Sequence, residues 1–180
     1  MSLLAPTQEA ERPITVLVVD DSAVVRGLII AELEKGGDIR VVGRASNGQI
    51  AIAEAERLKP DVVVLDLEMP VMDGMTALPG LIKAHPDVRI VVASTLSQRN
   101  ARISLEALQA GAHDYVPKPG AGSLVAAEAF HAELGLKVRA LGRARRPSTP
   151  RPVGLPPRTP PAGRARPAAA DRDGDACRWR

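Results

Sequence analysis

Two adjacent carboxylates, Asp20 and Asp21, a third at Asp66 and an ammonium at Lys118 each stand where a short apolar run ends: ITVLVV, DVVVL and, less cleanly, HDYVP. Together such groups can hold a divalent cation and accept a phosphoryl group on one carboxylate. Each has an ordinary reading when taken alone. An Asp after a strand is commonly a turn former or a helix N-cap, and a single Lys is commonly a solvated surface residue. Ser94, at the end of another apolar run, reads equally as a strand-end cap or as a hydroxyl donor. The combination is harder to explain that way, because three converging carboxylates repel one another unless a cation sits among them. A hard ion such as Mg²⁺ takes this oxygen set while keeping several waters. Phosphoryl transfer then needs mainly alignment and charge neutralisation, which one Mg²⁺, one Lys and one hydroxyl supply to the phosphoryl oxygens. Asp66 is the expected nucleophile: it ends the most apolar run, while Asp20 and Asp21 form a pair better suited to metal.

The segments between these residues alternate between strand-like and helix-like patterns. Strands are expected at Ile14–Val19, Ile39–Gly43, Val62–Leu67, Val88–Ala93 and Asp114–Val116. The first helix, capped by Ser22, runs to about Glu34 and is stopped by Gly36-Gly37. The second opens at Asn47-Gly48 and ends at Leu58 before Pro60. The third spans about Met75–Ala84, with Pro79-Gly80 inside it expected to shorten or bend it. Helices over Gln98–Ala110 and Ser123–Leu141 complete five β-α units. Such alternation implies a mainly parallel sheet, doubly wound by right-handed crossovers. Sites in these sheets gather beyond the C-terminal strand ends, so Asp20, Asp21, Asp66, Ser94 and Lys118 are expected in one pocket.

Composition narrows the chemistry. The chain has 180 residues, of which 45% are hydrophobic but only 2% aromatic, so the core must be built from Val, Ile, Leu and Ala. Its net charge of +3 conceals an acidic body, net −4 over residues 1–142, and a basic tail, net +7 over residues 143–180. The single cysteine, Cys177, excludes an internal disulfide. No apolar run approaches the roughly 20 residues of a membrane span and the N-terminus lacks the pattern of a signal peptide, so a cytoplasmic location without membrane insertion is expected. A serine-hydrolase elbow G-x-S-x-G is absent, and His85, His113 and His131 have no evident nucleophile beside them. GAGS at 120–123 fits neither a P-loop nor a dinucleotide fingerprint.

VLVVDDSAVVR, DVVVLDLEMPVMDG and DYVPKP, in this order, resemble the receiver domain of two-component response regulators. The resemblance covers about residues 14–141 and implies a five-stranded, flavodoxin-like parallel sheet of order 2-1-3-4-5. It implies Asp66 as phospho-acceptor and Mg²⁺ held by Asp20, Asp21, Asp66 and the backbone carbonyl of Glu68. It further implies Ser94 as switch hydroxyl, Tyr115 as switch aromatic, Lys118 as phosphate-binding lysine and a cis Lys118-Pro119 bond. More narrowly, VVGRASNGQIAIAEAERLKPDVVVLDLEMPVMDGM and ASTLSQRNARISLEALQAGAHDYVPKP are similar to the chemotaxis protein-glutamate methylesterase family, in which a receiver precedes an esterase. That likeness implies a chemotaxis-type histidine kinase as phosphoryl donor, with chemoreceptors or a methylesterase domain as further partners. The 180 residues leave no room for an esterase, so the expected chemistry of this polypeptide is confined to phosphorylation and dephosphorylation at Asp66.

Three segments follow from this reading: an extension over 1–13, the receiver over 14–141, and a Pro/Arg-rich tail over 142–180. Eight prolines and ten arginines among the last 38 residues cannot bury a core, so disorder is expected there. The tail reads as an interdomain linker, or else as a basic arm for nucleic acid or an anionic membrane. No recognition helix is legible after the receiver and the tail's only aromatic is Trp179, which speaks against nucleic acid as a partner. The alternatives to a methylesterase regulator are a stand-alone receiver acting as phosphate sink or binding module, and a DNA-associated regulator using the tail.

Overall fold

The computed structural model describes residues 12–95, 98–119 and 124–145. Ser123, most of the N-terminal extension and the tail beyond Arg145, including Cys177 and Trp179, lie outside the described residues.

Five strands, β1 (Ile14–Val19), β2 (Ile39–Ala45), β3 (Val62–Asp66), β4 (Arg89–Thr95) and β5 (Asp114–Lys118), form one parallel sheet of order β2-β1-β3-β4-β5. Between and after them run α1 (Ala23–Glu34), α2 (Gly48–Leu58), α3 (Gly74–Ala84), α4 (Gln98–Gln109) and α5 (Leu124–Arg145). This is the doubly wound parallel sheet expected from the alternation, in the flavodoxin-like strand order that the receiver resemblance implies. Side chains alternate across each strand, and the two resulting sets form two cores. Leu17, Val19, Val63, Leu65, Ile90 and Val92 pack with Ala51 and Ala55 of α2, Ala77, Leu78 and Leu81 of α3 and Ala107 of α4. Val16, Val18, Val62, Val64, Val91, Ala93 and Val116 pack on the opposite face with Ile29 and Leu33 of α1 and Phe130, Leu134 and Val138 of α5.

The helix starts follow local chemistry. Ser22, Asn47 and Asp73 sit at the N-caps of α1, α2 and α3, their side chains accepting from the N–H groups of Val25, Ile50 and Thr76. The strands depart from the sequence reading at their C-terminal ends. β2, β4 and β5 each run two residues further than expected, while β3 stops at Asp66. β5 tolerates Pro117 because it is an edge strand, where a missing N–H need not break a ladder bond.

Helix α3 keeps its full expected length. Pro79 neither ends nor shortens it, although an interior proline removes one helix bond and costs about 3 kcal/mol. Leu78 and Leu81 are fully buried, and Gly80 lies so close to α2 that a Cβ there would come 2.5 Å from Ile52 Cδ1. Burying two leucines stabilises by about 1.5–3 kcal/mol each, enough to hold the helix across the proline. Helix α5 continues four residues past its expected end, and Gly142 is buried against Ile14. Among the described residues, no helix is long and apolar enough to cross a membrane.

Candidate functional site

Strand parity explains how residues almost a hundred positions apart meet. Asp20 lies two residues beyond Val18, Asp66 two beyond Val64 and Lys118 two beyond Val116, all three valines facing the α1/α5 side. The three polar residues therefore leave the sheet on the same side, at its C-terminal edge. Lys118 Nζ stands 2.7 Å from Asp20 Oδ2 and 2.8 Å from Asp66 Oδ2, with all three side chains largely buried. Asp20 Oδ1 accepts from the Ser22 N–H at 2.9 Å, and Asp66 Oδ1 from the Glu68 N–H at 3.3 Å. Arg26 of α1 donates to the Asp20 carbonyl. Burial pushes the Asp66 carboxyl above its usual range, and the ammonium of Lys118 opposes that shift.

Asp21 is exposed and completes a carboxylate group: one oxygen each from Asp20, Asp21 and Asp66 lie within 4.8 Å of one another. Three carboxylates and one ammonium leave two formal negative charges. That imbalance, with oxygen-only donors and Asp21 open to solvent for retained waters, fits a hard divalent cation of the Mg²⁺ type. The loop after β3 is built tightly around the site. Gly74 N–H donates to the Leu67 carbonyl at 3.1 Å, and a Cβ at Gly74 would sit 2.2 Å from the Asp66 carbonyl oxygen, so only glycine fits. Val71 in the same loop is exposed and held at φ 69°, a strained conformation for a β-branched residue.

The remaining sequence candidates are placed differently. Ser94 follows Val92 in parity and faces the α4 side; its Oγ is buried 2.9 Å from Ser104 Oγ. Thr95 donates its hydroxyl to Glu68 Oε2 at 2.7 Å, joining the loops after β4 and β3. Tyr115 is 42% exposed, with Lys137 Nζ 5.4 Å from its ring centroid. The expected cis Lys118-Pro119 bond is not found, the described residues containing no cis peptide. The two carboxylates and the β5 ladder fix Lys118 without it. His113 lies beside Arg89 and the Ile90 N–H at the opposite end of β4, away from the carboxylates. Ser104 was not singled out by sequence. Its signal was a hydroxyl on the same helical stripe as Ala107 and Leu108, a polar residue in an apolar face.

A parallel 2-1-3-4-5 sheet with an acidic cluster and a lysine at its C-terminal edge defines a signalling receiver of the α/β class. The family model for the response regulator receiver domain matches residues 16–128, and the chain belongs to that family. It is 52% identical over 158 residues to the protein-glutamate methylesterase/protein-glutamine glutaminase of group 2 operon of Rhodospirillum centenum, an alignment covering 87% of this chain and 40% of that protein. Against the Azospirillum brasilense protein-glutamate methylesterase/protein-glutamine glutaminase it is 47% identical over 170 residues, covering 88% and 43%. The chain thus spans less than half the length of these curated relatives. Among solved structures it is similar to the response regulator domain of Thermotoga maritima CheB, with 40% identity, a TM-score of 0.67, and coverage of 73% of this chain and 98% of that one. The described fold is therefore a receiver related to the CheB regulatory domain.

Proposed function

We propose that this receiver takes a phosphoryl group on Asp66 from the phosphohistidine of a chemotaxis-type histidine kinase. The observation that carries the reading is Lys118 Nζ bridging Asp20 and Asp66 beside a third carboxylate at Asp21. Asp66 attacks phosphorus, forming an aspartyl O–P bond as the P–N bond to the donor imidazole breaks. The imidazole leaves with the bonding electron pair and takes up a proton from solvent. Asp20, Asp21, Asp66 and the Glu68 carbonyl would hold Mg²⁺, which would supply charge neutralisation for the transferring group. Lys118 moves from a carboxylate-only pairing to one that includes a phosphoryl oxygen. Ser94 donates to another phosphoryl oxygen, and Tyr115 turns into the space that Ser94 leaves, a population shift biased by the new charge. By its likeness to methylesterase relatives, the receiver controls a protein-glutamate methylesterase activity directed at chemoreceptors.

Intact-mass analysis of the full chain with acetyl phosphate and Mg²⁺ tests the reading. One Mg²⁺-dependent phosphoryl adduct is expected on the wild-type chain and none on Asp66→Asn. An adduct persisting in that variant would exclude Asp66 as acceptor. An in-frame esterase sequence downstream in the gene would support the methylesterase assignment.

A further inference from the structure

We infer that Ser104 on α4 is a positioning residue: it latches the Ser94 hydroxyl away from Asp66 and so sets how readily the receiver is phosphorylated. This rests on Asp66 being the phosphoryl acceptor, as proposed above.

Ser94 and Ser104 are 3% and 2% exposed, and their oxygens are 2.9 Å apart. A buried hydroxyl without a partner is costly, so each holds the other in place. The side on which they meet is decisive. Asp20, Asp66 and Lys118 follow the parity that faces α1 and α5, whereas Ser94 follows the parity that faces α4. To donate to a group on Asp66, the Ser94 hydroxyl must leave Ser104 and come around the end of β4. Thr95, the next residue, is held by Glu68, so the end of β4 is fastened on two sides.

The two hydroxyls are not equivalent once they separate. A helical serine can donate back to the carbonyl one turn earlier, so Ser104 has a substitute partner within α4. Ser94, at the end of a strand, finds its alternative at the phosphoryl site. The bond therefore opens at modest cost when a phosphoryl group is present and stays closed without one. Opening it also removes a contact between β4 and α4, which places the chemical event and a helix facing solvent in direct mechanical connection.

Initial phosphorylation rates of the full chain with acetyl phosphate and Mg²⁺ test this, using Ser104→Ala, Ser94→Ala and the double variant. Removing one buried hydrogen-bond partner should raise the rate about two- to tenfold in Ser104→Ala. In the Ser94→Ala background the same change should have no effect, because no hydroxyl remains to be released. Ser104→Thr, which keeps the hydroxyl, should return the rate toward wild type. Thermal unfolding of each variant separates the effect from simple loss of folding. An unchanged rate in Ser104→Ala, or an equal change in both backgrounds, overturns the latch while leaving Asp66 as acceptor. A folded wild-type chain that gains no phosphoryl group overturns the function reading, and the latch with it.

Discussion

The carboxylate cluster and the end of β4 lie at the same edge of one sheet, yet they are held in opposite ways. Lys118 already contacts both Asp20 and Asp66, which are fixed by strand parity, backbone N–H donors and a loop that admits only glycine at position 74. Ser94 is tied to α4 and the exposed Tyr115 ring has Lys137 of α5 beside it, so the groups that would read out phosphorylation have their partners outside the cluster. On the proposed reading, the cluster is a preorganised reaction site and the end of β4 a bistable readout, and the difference teaches that the two need different packing. Preorganised charges avoid reorganisation during transfer. A switch instead needs two arrangements separated by a few hydrogen bonds.

The strongest way to break the preorganised half is Gly74→Ala. The added Cβ meets backbone rather than a flexible side chain, so the loop after β3 must shift. A stability loss of about 1–3 kcal/mol, as for overpacked sites, should accompany a fall in adduct formation on the order of tenfold or more. Denaturant unfolding and intact mass together measure both; wild-type values for both would mean that the loop has room the geometry does not reveal.

Lys118→Ala probes where the two halves join. The variant should still gain some phosphoryl group, roughly tenfold more slowly or worse for the loss of one hydrogen bond to a charged group, since the carboxylates remain to hold a cation. Its Tyr115 should no longer respond. The chain has one tyrosine, so fluorotyrosine gives a single ¹⁹F signal for that ring. A phosphorylation-dependent shift as large as in wild type would show that Lys118 has no part in the coupling.

Lys137→Ala sharpens the readout half and should have the smallest effect. Lys137 donates to the Tyr115 carbonyl at 2.7 Å and to Asp114 Oδ1 at 2.9 Å while lying over the Tyr115 ring. Losing an exposed cation–π contact should shift the resting Tyr115 population about two- to fivefold, visible in the same ¹⁹F signal. The phosphorylation rate should change less than in Ser104→Ala, because Ser94 stays latched.

Much of this molecule is legible in single residues. Asn47 and Ser22 announce helix starts, because their side chains cap nearby N–H groups whatever the surrounding fold. Valine-rich runs announce strands buried on both faces. Pro79 leaves α3 unshortened for an equally physical reason: the sequence displays the lost hydrogen bond but not the two leucines and the close approach of α2 that outweigh it. The lysine bridge was half legible, since strand ends locate Lys118 near the aspartates but cannot say which oxygens it meets.

By itself, the sequence determined the alternation of five β-α units and the acidic and basic residues at the strand ends, because apolar periodicity and side-chain type are local properties. Only the tertiary structure decided that Asp20 and Asp66 share one lysine, that Ser94 turns toward Ser104, and that Gly74 touches the Asp66 backbone. Those contacts join residues far apart in the chain, and their distances are set by how helices and strands pack, a property no local segment contains.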